Sequence, residues 1–462
     1  MRPSTIALAA SFPLIASAQV PQSWTIELVG RSSLDPAIPA FRMPQGSSLS
    51  SQPTSLDETG AAAIRVFLNG SPSEGVFYGN PAEGGLVISG TSADVLYGPS
   101  IDAFGGRIAV ADAFFTGQDL DVFSTDGTLL NTFPPGGTLG TTSPGGPTLA
   151  LDGSVCYKAD FGFAGDRVVV DEFIGGQRVQ TPVADDFSGL YDFIFTPRMN
   201  AQRVVAMNTI PSPFGVGPQR RIVRFLPTHG AYVPQTVAET GPRWDGFVNS
   251  TGIGNDGSIS FTARRTADGV REVVLADTQG GFTVIAEGGQ MTISNSNLAN
   301  FPPVNNANGL VAFRVEDGSD STAIYVGDGS GLPGGLVRVV GAGDILNTDL
   351  GPLAAGFDFG GTTGVQTINS NIDINDNDQI GFAAFLENGT IGVFVATPEP
   401  TVPSCNAADL GVPFGFLDLE DVDVFIAAFL AGDPVADIAF PFGFIDLSDV
   451  DTFIAAFLAG CP

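Results

Sequence analysis

From residue 20 to residue 396, apolar and polar positions alternate in short runs, and the runs open on turns rich in Gly, Asn and Asp. Glu58-Thr59-Gly60 precedes residues 61–67, Phe104-Gly105-Gly106 precedes 107–111, and Leu151-Asp152-Gly153 precedes 154–158. The pattern returns with Asn200-Ala201-Gln202 before 203–207 and Asn255-Asp256-Gly257 before 258–263. Its last copies are Asn306-Ala307-Asn308-Gly309 before 310–314 and Asn375-Asp376-Asn377-Asp378 before 379–385. Alternation at period two sends successive side chains to opposite faces, so each run predicts a β-strand. Gly, Asn and Asp tolerate positive φ and reverse the chain at low cost. Several copies continue into a second strand, as at 323–326 or 392–395, and a third, as at 282–286 or 336–340.

The turn positions 60, 106, 153, 202, 257, 309 and 378 lie 46, 47, 49, 55, 52 and 69 residues apart. Seven units of three or four strands and about 50 residues each predict a mainly β fold, a seven-bladed β-propeller over residues 19–396. One small sheet cannot bury both of its faces, whereas radial stacking covers each face with a neighbour. Residues 24–29 (Trp-Thr-Ile-Glu-Leu-Val) are suited to complete the last blade and close the ring. The uneven spacing keeps a pair of β-sandwiches or a β-solenoid open as competing arrangements.

A proline-rich linker at 397–403 ends this region, and from residue 404 to 462 the period changes. Leu417, Val422, Phe425, Ile426, Phe429 and Leu430 mark one broad face of a helix. The segment then repeats 28 residues later, as Asp409/Asp437, Gly415/Gly443, Asp418/Asp446, Asp421/Asp449, Asp423/Asp451, Phe425/Phe453 and Phe429/Phe457. Asp418 and Asp446 occupy the expected N-cap positions, and Asp421 and Asp449 favour the first turns. Gly432 and Pro434 end the first helix and Gly460 the second. A small all-α helix pair is therefore predicted. Cys405 and Cys461 bracket it, and a bridge between them would tie the ends of a module too small to rely on its core alone.

Composition sharpens this outline. Gly 60 and Pro 33 fit many turns, and the formal charge is −30 with a single lysine, Lys158. Such a chain repels phosphate backbones, which argues against nucleic acid as a partner. Arg2, the apolar stretch 6–15 and Ala16-Ser17-Ala18 read as a signal peptide over residues 1–18. The expected location is extracellular or attached to the cell surface, with no transmembrane segment. Export permits a disulfide and leaves Cys156, in a strand-like run, as a buried free thiol.

The duplicated unit resembles a dockerin domain, in the divergent form ending in Gly-Cys that anchors exported bacterial proteins; here the ending is Gly460-Cys461-Pro462. The resemblance covers residues 404–462 only. It implies Ca²⁺ held by Asp409, Asp418, Asp421, Asp437, Asp446 and Asp449, and docking onto a cohesin-like or cell-envelope partner. The loops depart from the pattern, since 410–414 and 438–442 supply no side-chain oxygen where a calcium loop wants ligands. Either Asp and backbone carbonyls hold the ion, or the carboxylates are caps in a metal-free variant.

Catalytic signatures are scarce. His229, in Thr228-His229-Gly230, is the only histidine and reads as a surface turn, which excludes HExxH and multi-His zinc sites. No GxSxG elbow or phosphate loop is present. Residues 373–378 space oxygen side chains as a calcium loop does, yet Asp378 replaces its glycine and a blade turn is the simpler reading. Trp244 is expected in a blade core. The expected function is an exported, non-enzymatic binding protein, its propeller facing a ligand and its C-terminal module holding it in place. A dockerin-borne glycosidase or polysaccharide lyase is the alternative, and a structural cell-surface component the third.

Overall fold

The computed structural model describes residues 20–461 except 50–53, 71, 90–93, 115–116, 140–142, 161–164, 291–292, 294–301, 317–321, 332–334, 359–364, 369–370, 400–404, 412–415, 432–433, 437 and 440–444. The proposed signal peptide, Asp437 and most of the linker therefore lie outside the described residues.

Seven antiparallel sheets of four or five strands form a seven-bladed β-propeller. The innermost strands are Ser55–Leu56, Asp94–Phe104, Ser143–Leu149, Arg198–Met199, Gly252–Ile253, Val304–Asn305 and Asp373–Ile374. Each touches the next, and the last touches the first. Period-two alternation explains the packing. In Val311–Glu316 of the sixth blade, Val311, Phe313 and Val315 pack toward the fifth blade, while Ala312 packs toward the seventh. Seven apolar clusters result, one at each blade interface.

Ring closure follows the expected route. Trp24–Ser32 pairs antiparallel with Ile391–Pro398 and becomes the outermost strand of the seventh blade. That strand draws Thr397 and Pro398 of the proline-rich stretch into the sheet.

The long interval between turns 309 and 378 also has a cause. Two extra hairpins, Ile345–Thr348 with Gly351–Ala354 and Phe357–Asp358 with Val365–Gln366, separate the sixth and seventh blades. The first is clamped by the fully buried Arg31, whose Nε and Nη2 donate to Asp349 at 2.9 and 2.8 Å.

The repeated turns join the first and second strands of each blade. Gly60, Gly106, Gly153, Arg203, Gly257, Gly309 and Asp378 all adopt positive φ, from 62° to 87°. The fourth-blade turn position is thus Arg203, one residue beyond the predicted 202. Arg and Asp tolerate this backbone only at a cost, and both are held by their side chains. Arg203 donates to Glu172 at 2.7 and 2.9 Å, and Asp378 accepts from Asn306 and Asn308 at 2.6 and 2.9 Å. Neighbouring turns are linked in the same way. Ala201 N–H donates to Asn255, Ala307 N–H to Asp376, and Asn375 Nδ2 to the Asp57 carbonyl.

Trp244 is 3% exposed, edge-on to Phe247, Phe261 and Phe282, so it belongs to a blade core. Cys156 is a buried free thiol, and burial raises its pKa. His229 is exposed in a hairpin turn. Beyond the propeller, α1 (Leu419–Ala431) and α2 (Leu447–Ala459) pack through Phe425 and Phe453, stacked at 4.2 Å between ring centroids. Cys405 and Cys461 form a disulfide. No described helix is long and apolar enough to cross a membrane.

Candidate functional site

The terminal module repeats its chemistry as faithfully as its sequence. Asp421 Oδ1 accepts the N–H groups of Leu410 and Gly411 at 2.7 and 2.6 Å, and its Oδ2 accepts that of Asp418 at 2.8 Å. Twenty-eight residues on, Asp449 does the same with Ile438, Ala439 and Asp446, each at 2.8 Å. Both carboxylates are buried. Burial pushes the Asp449 carboxyl up, but its three N–H donors outweigh that and hold it below the usual range. Asp418 and Asp446 cap the helices by accepting from Glu420 and Ser448. Buried Asp409 accepts the Cys405 N–H at 2.7 Å.

Among the described residues, Asp421 and Asp449 have little left to offer a calcium ion. A carboxylate offers about four lone-pair directions and three are taken, whereas Ca²⁺ seeks about six to eight oxygens. Among the described residues, one group of three His, Cys, Asp or Glu side chains comes close enough to share a metal. It is Cys405, Asp409 and Cys461, and its two sulfurs are joined to each other. Of the five described aspartates, Asp421 and Asp449 tie each loop to its helix, Asp418 and Asp446 cap the helices, and Asp409 holds the Cys405 N–H.

What the module leaves uncovered is apolar. Leu419, Ile426 and Leu430 on α1 are 78, 49 and 80% exposed, and their repeats Leu447, Ile454 and Leu458 on α2 are 75, 49 and 80% exposed. Each α1/α2 pair is separated by the same 28 residues, so two equivalent apolar faces are presented.

The propeller channel holds a second cluster. Residues 55, 148, 198, 252, 304 and 373 each stand five places before their turn position, and Asp102 stands four places before Gly106 in a shorter turn. Asp102, Thr148, Arg198, Gly252, Val304 and Asp373 line a cavity of about 110 Å³. Asp102 accepts from Ser55 Oγ at 3.0 Å and Leu149 N–H at 2.6 Å, and Asp373 accepts from Leu56 N–H at 3.0 Å. Burial raises both carboxyls, Asp373 to about 6, against the opposing pull of Arg198. Thr148 Oγ1 is buried there with no partner among the described residues. Sequence reasoning missed this cluster. The signal was a charged residue four or five places before the turn in three of the seven units.

No protein-family model matches the chain, and no curated protein does. Solved structures of similar fold include TolB from Acinetobacter baumannii, at 15% identity and TM-score 0.38 over 60% of this chain and 63% of that one. A prolyl endopeptidase matches at 10% identity and TM-score 0.44, over 73% of this chain and 46% of its own. The chain thus spans less than two thirds of either. An oligogalacturonate lyase in complex with manganese matches at 11% identity and TM-score 0.46, over 84% of this chain and 99% of that one.

Proposed function

We propose that this is an exported binding protein whose propeller is presented by a C-terminal attachment module. The observation that carries the reading is the duplicated apolar face on α1 and α2. Six large apolar side chains in water are costly unless a partner covers them. Residues 404–462 contain nine Asp, one Glu and no Lys or Arg, a net −10. The partner is therefore a protein module with an apolar centre and a basic rim, cohesin-like if the dockerin resemblance carries over. Attachment is expected to survive a calcium chelator, because backbone N–H groups occupy the carboxylates.

The test is fractionation of producing cells carrying the Leu430→Asp/Leu458→Asp double variant. Both side chains are 80% exposed, so the helices are expected to persist, which circular dichroism checks. Release of the variant into the medium is expected. Retention equal to that of the unaltered protein sinks the reading.

The lyase or glycosidase reading draws on Asp373, a carboxyl raised to about 6 in a channel shared with Arg198. The channel's 110 Å³ suits waters better than a saccharide, since sites that enclose organic ligands run to about 300 Å³ or more. Binding on the outer loops is the stronger reading.

A further inference from the structure

In a chain of charge −30, residues 220–271 contain seven arginines (220, 221, 224, 243, 264, 265 and 271) against four acids (Glu239, Asp245, Asp256 and Asp268), a local net of +3. Three of these arginines, Arg220, Arg264 and Arg271, line one pocket of about 240 Å³ between the fourth and fifth blades, with Gly246, Phe247 and Thr262. It opens at the end of the propeller opposite the linked turns. Arg264 and Arg271 face each other directly across paired strands. Arg264 pairs with Asp245 at 2.6 Å, but both side chains are well exposed, and such a pair contributes little and yields readily to a competing anion. Arg220 is oriented by the Phe247 carbonyl at 2.7 Å and Asn249 Oδ1 at 2.9 Å, and no described carboxylate lies within ion-pair distance of it.

The pocket continues into a ribbon. The Arg220 guanidinium lies 5.0 Å from the Phe195 ring, Phe195 meets Phe193 at 4.7 Å, and Lys158 Nζ lies 4.6 Å from Phe193. Phe193 is 39% exposed, and Phe214, whose N–H bonds Asp192, is 67% exposed. Cations and ring faces thus alternate across the third, fourth and fifth blades. Guanidinium forks bind carboxylates in two-point fashion, and ring faces accept the C–H faces of sugars.

We propose that this ribbon binds an acidic saccharide, with one carboxylate seated among Arg220, Arg264 and Arg271 and a neighbouring sugar lying over Phe193. The proposal rests on the propeller being a binding body and is independent of how the protein is attached.

The test is calorimetry on the full chain at constant ionic strength with trigalacturonate, neutral galactotriose and sodium sulfate. Two variants accompany it. Arg264→Gln removes a charge. Gly246→Leu plugs the pocket without a backbone clash, since a Cβ there meets nothing within 4 Å. Trigalacturonate is expected to bind and galactotriose not to. Each variant is expected to weaken binding by roughly tenfold or more, in line with one charge-assisted contact. Equal affinity of Gly246→Leu and the unaltered protein overturns the pocket. Sulfate binding as tightly as trigalacturonate overturns the saccharide and leaves a simple oxyanion site. Either failure leaves surface retention untouched, so the two readings fall separately.

Discussion

Asp373 shows how one residue ties the channel to stability. Its carboxyl accepts the Leu56 and Ile374 N–H groups at 3.0 Å, which favours the charged form, yet burial wins and raises its pKa from 3.8 to about 6. The folded state therefore holds this proton more tightly than the unfolded chain does. The associated stability is full below about pH 4 and is lost as pH rises through 6. Asp373→Asn removes the titration and keeps an acceptor for Leu56. In denaturant unfolding, its stability relative to the unaltered protein is expected to improve steadily from pH 4 to pH 7. A difference that stays flat over that range would show that Asp373 is ionised in both states. The turn residues teach a related lesson. Glycine at 60, 106, 153, 257 and 309 was readable from sequence because only the backbone demands it. Arg203 hides the same backbone behind a side chain whose partner, Glu172, lies in the adjacent blade, whereas Asp378 was legible as a turn from its Asn- and Asp-rich run.

At the scale of elements, the strands and both helices were legible because local periodicity alone determines which face is buried. The channel cluster and the arginine pocket were not, because each gathers residues from different blades and no local pattern carries that distance. The terminal module stands between these cases. Its duplication announced two equivalent helices, but the task of Asp421 and Asp449, clamping a loop ten or eleven residues upstream, emerged only in three dimensions. This module is small, and among the described residues its cluster contains four buried apolar residues: Ala408, Phe425, Ala436 and Phe453. The disulfide spans 56 residues, so by chain entropy its loss is expected to cost about 4 kcal/mol, comparable to what so small a core supplies. Cys405→Ser should therefore abolish the helical circular dichroism signal while the strand signal persists. Helices that survive in that variant would mean the Phe425–Phe453 stack and the aspartate clamps suffice.

For the whole molecule, closure decides whether seven weak sheets act as one body. Each blade interface buries its own apolar cluster, and the interface between the seventh and first blades includes Val29 from the N-terminal strand, packed with Ala383, Val393 and Val395. Without that strand, Ile391–Pro398 becomes an unpaired edge that invites pairing between copies. Deletion of residues 20–32 is therefore expected to produce self-association, seen as growth in light scattering, together with a lower and broader unfolding transition. A finer variant separates strand loss from truncation. A Cβ at Gly30 would meet the Phe77 ring at 2.7 Å and Met43 at 3.0 Å, so Gly30→Val keeps the strand but forces it off the first blade. Overpacking of this kind costs about 1–3 kcal/mol. If Gly30→Val lowers stability without association while the deletion associates, edge protection and blade packing are distinct contributions of the one strand. A deletion variant that stays monomeric and unfolds as before would place the closure in the linked turns, where Asn375 already binds the first blade through the Asp57 carbonyl.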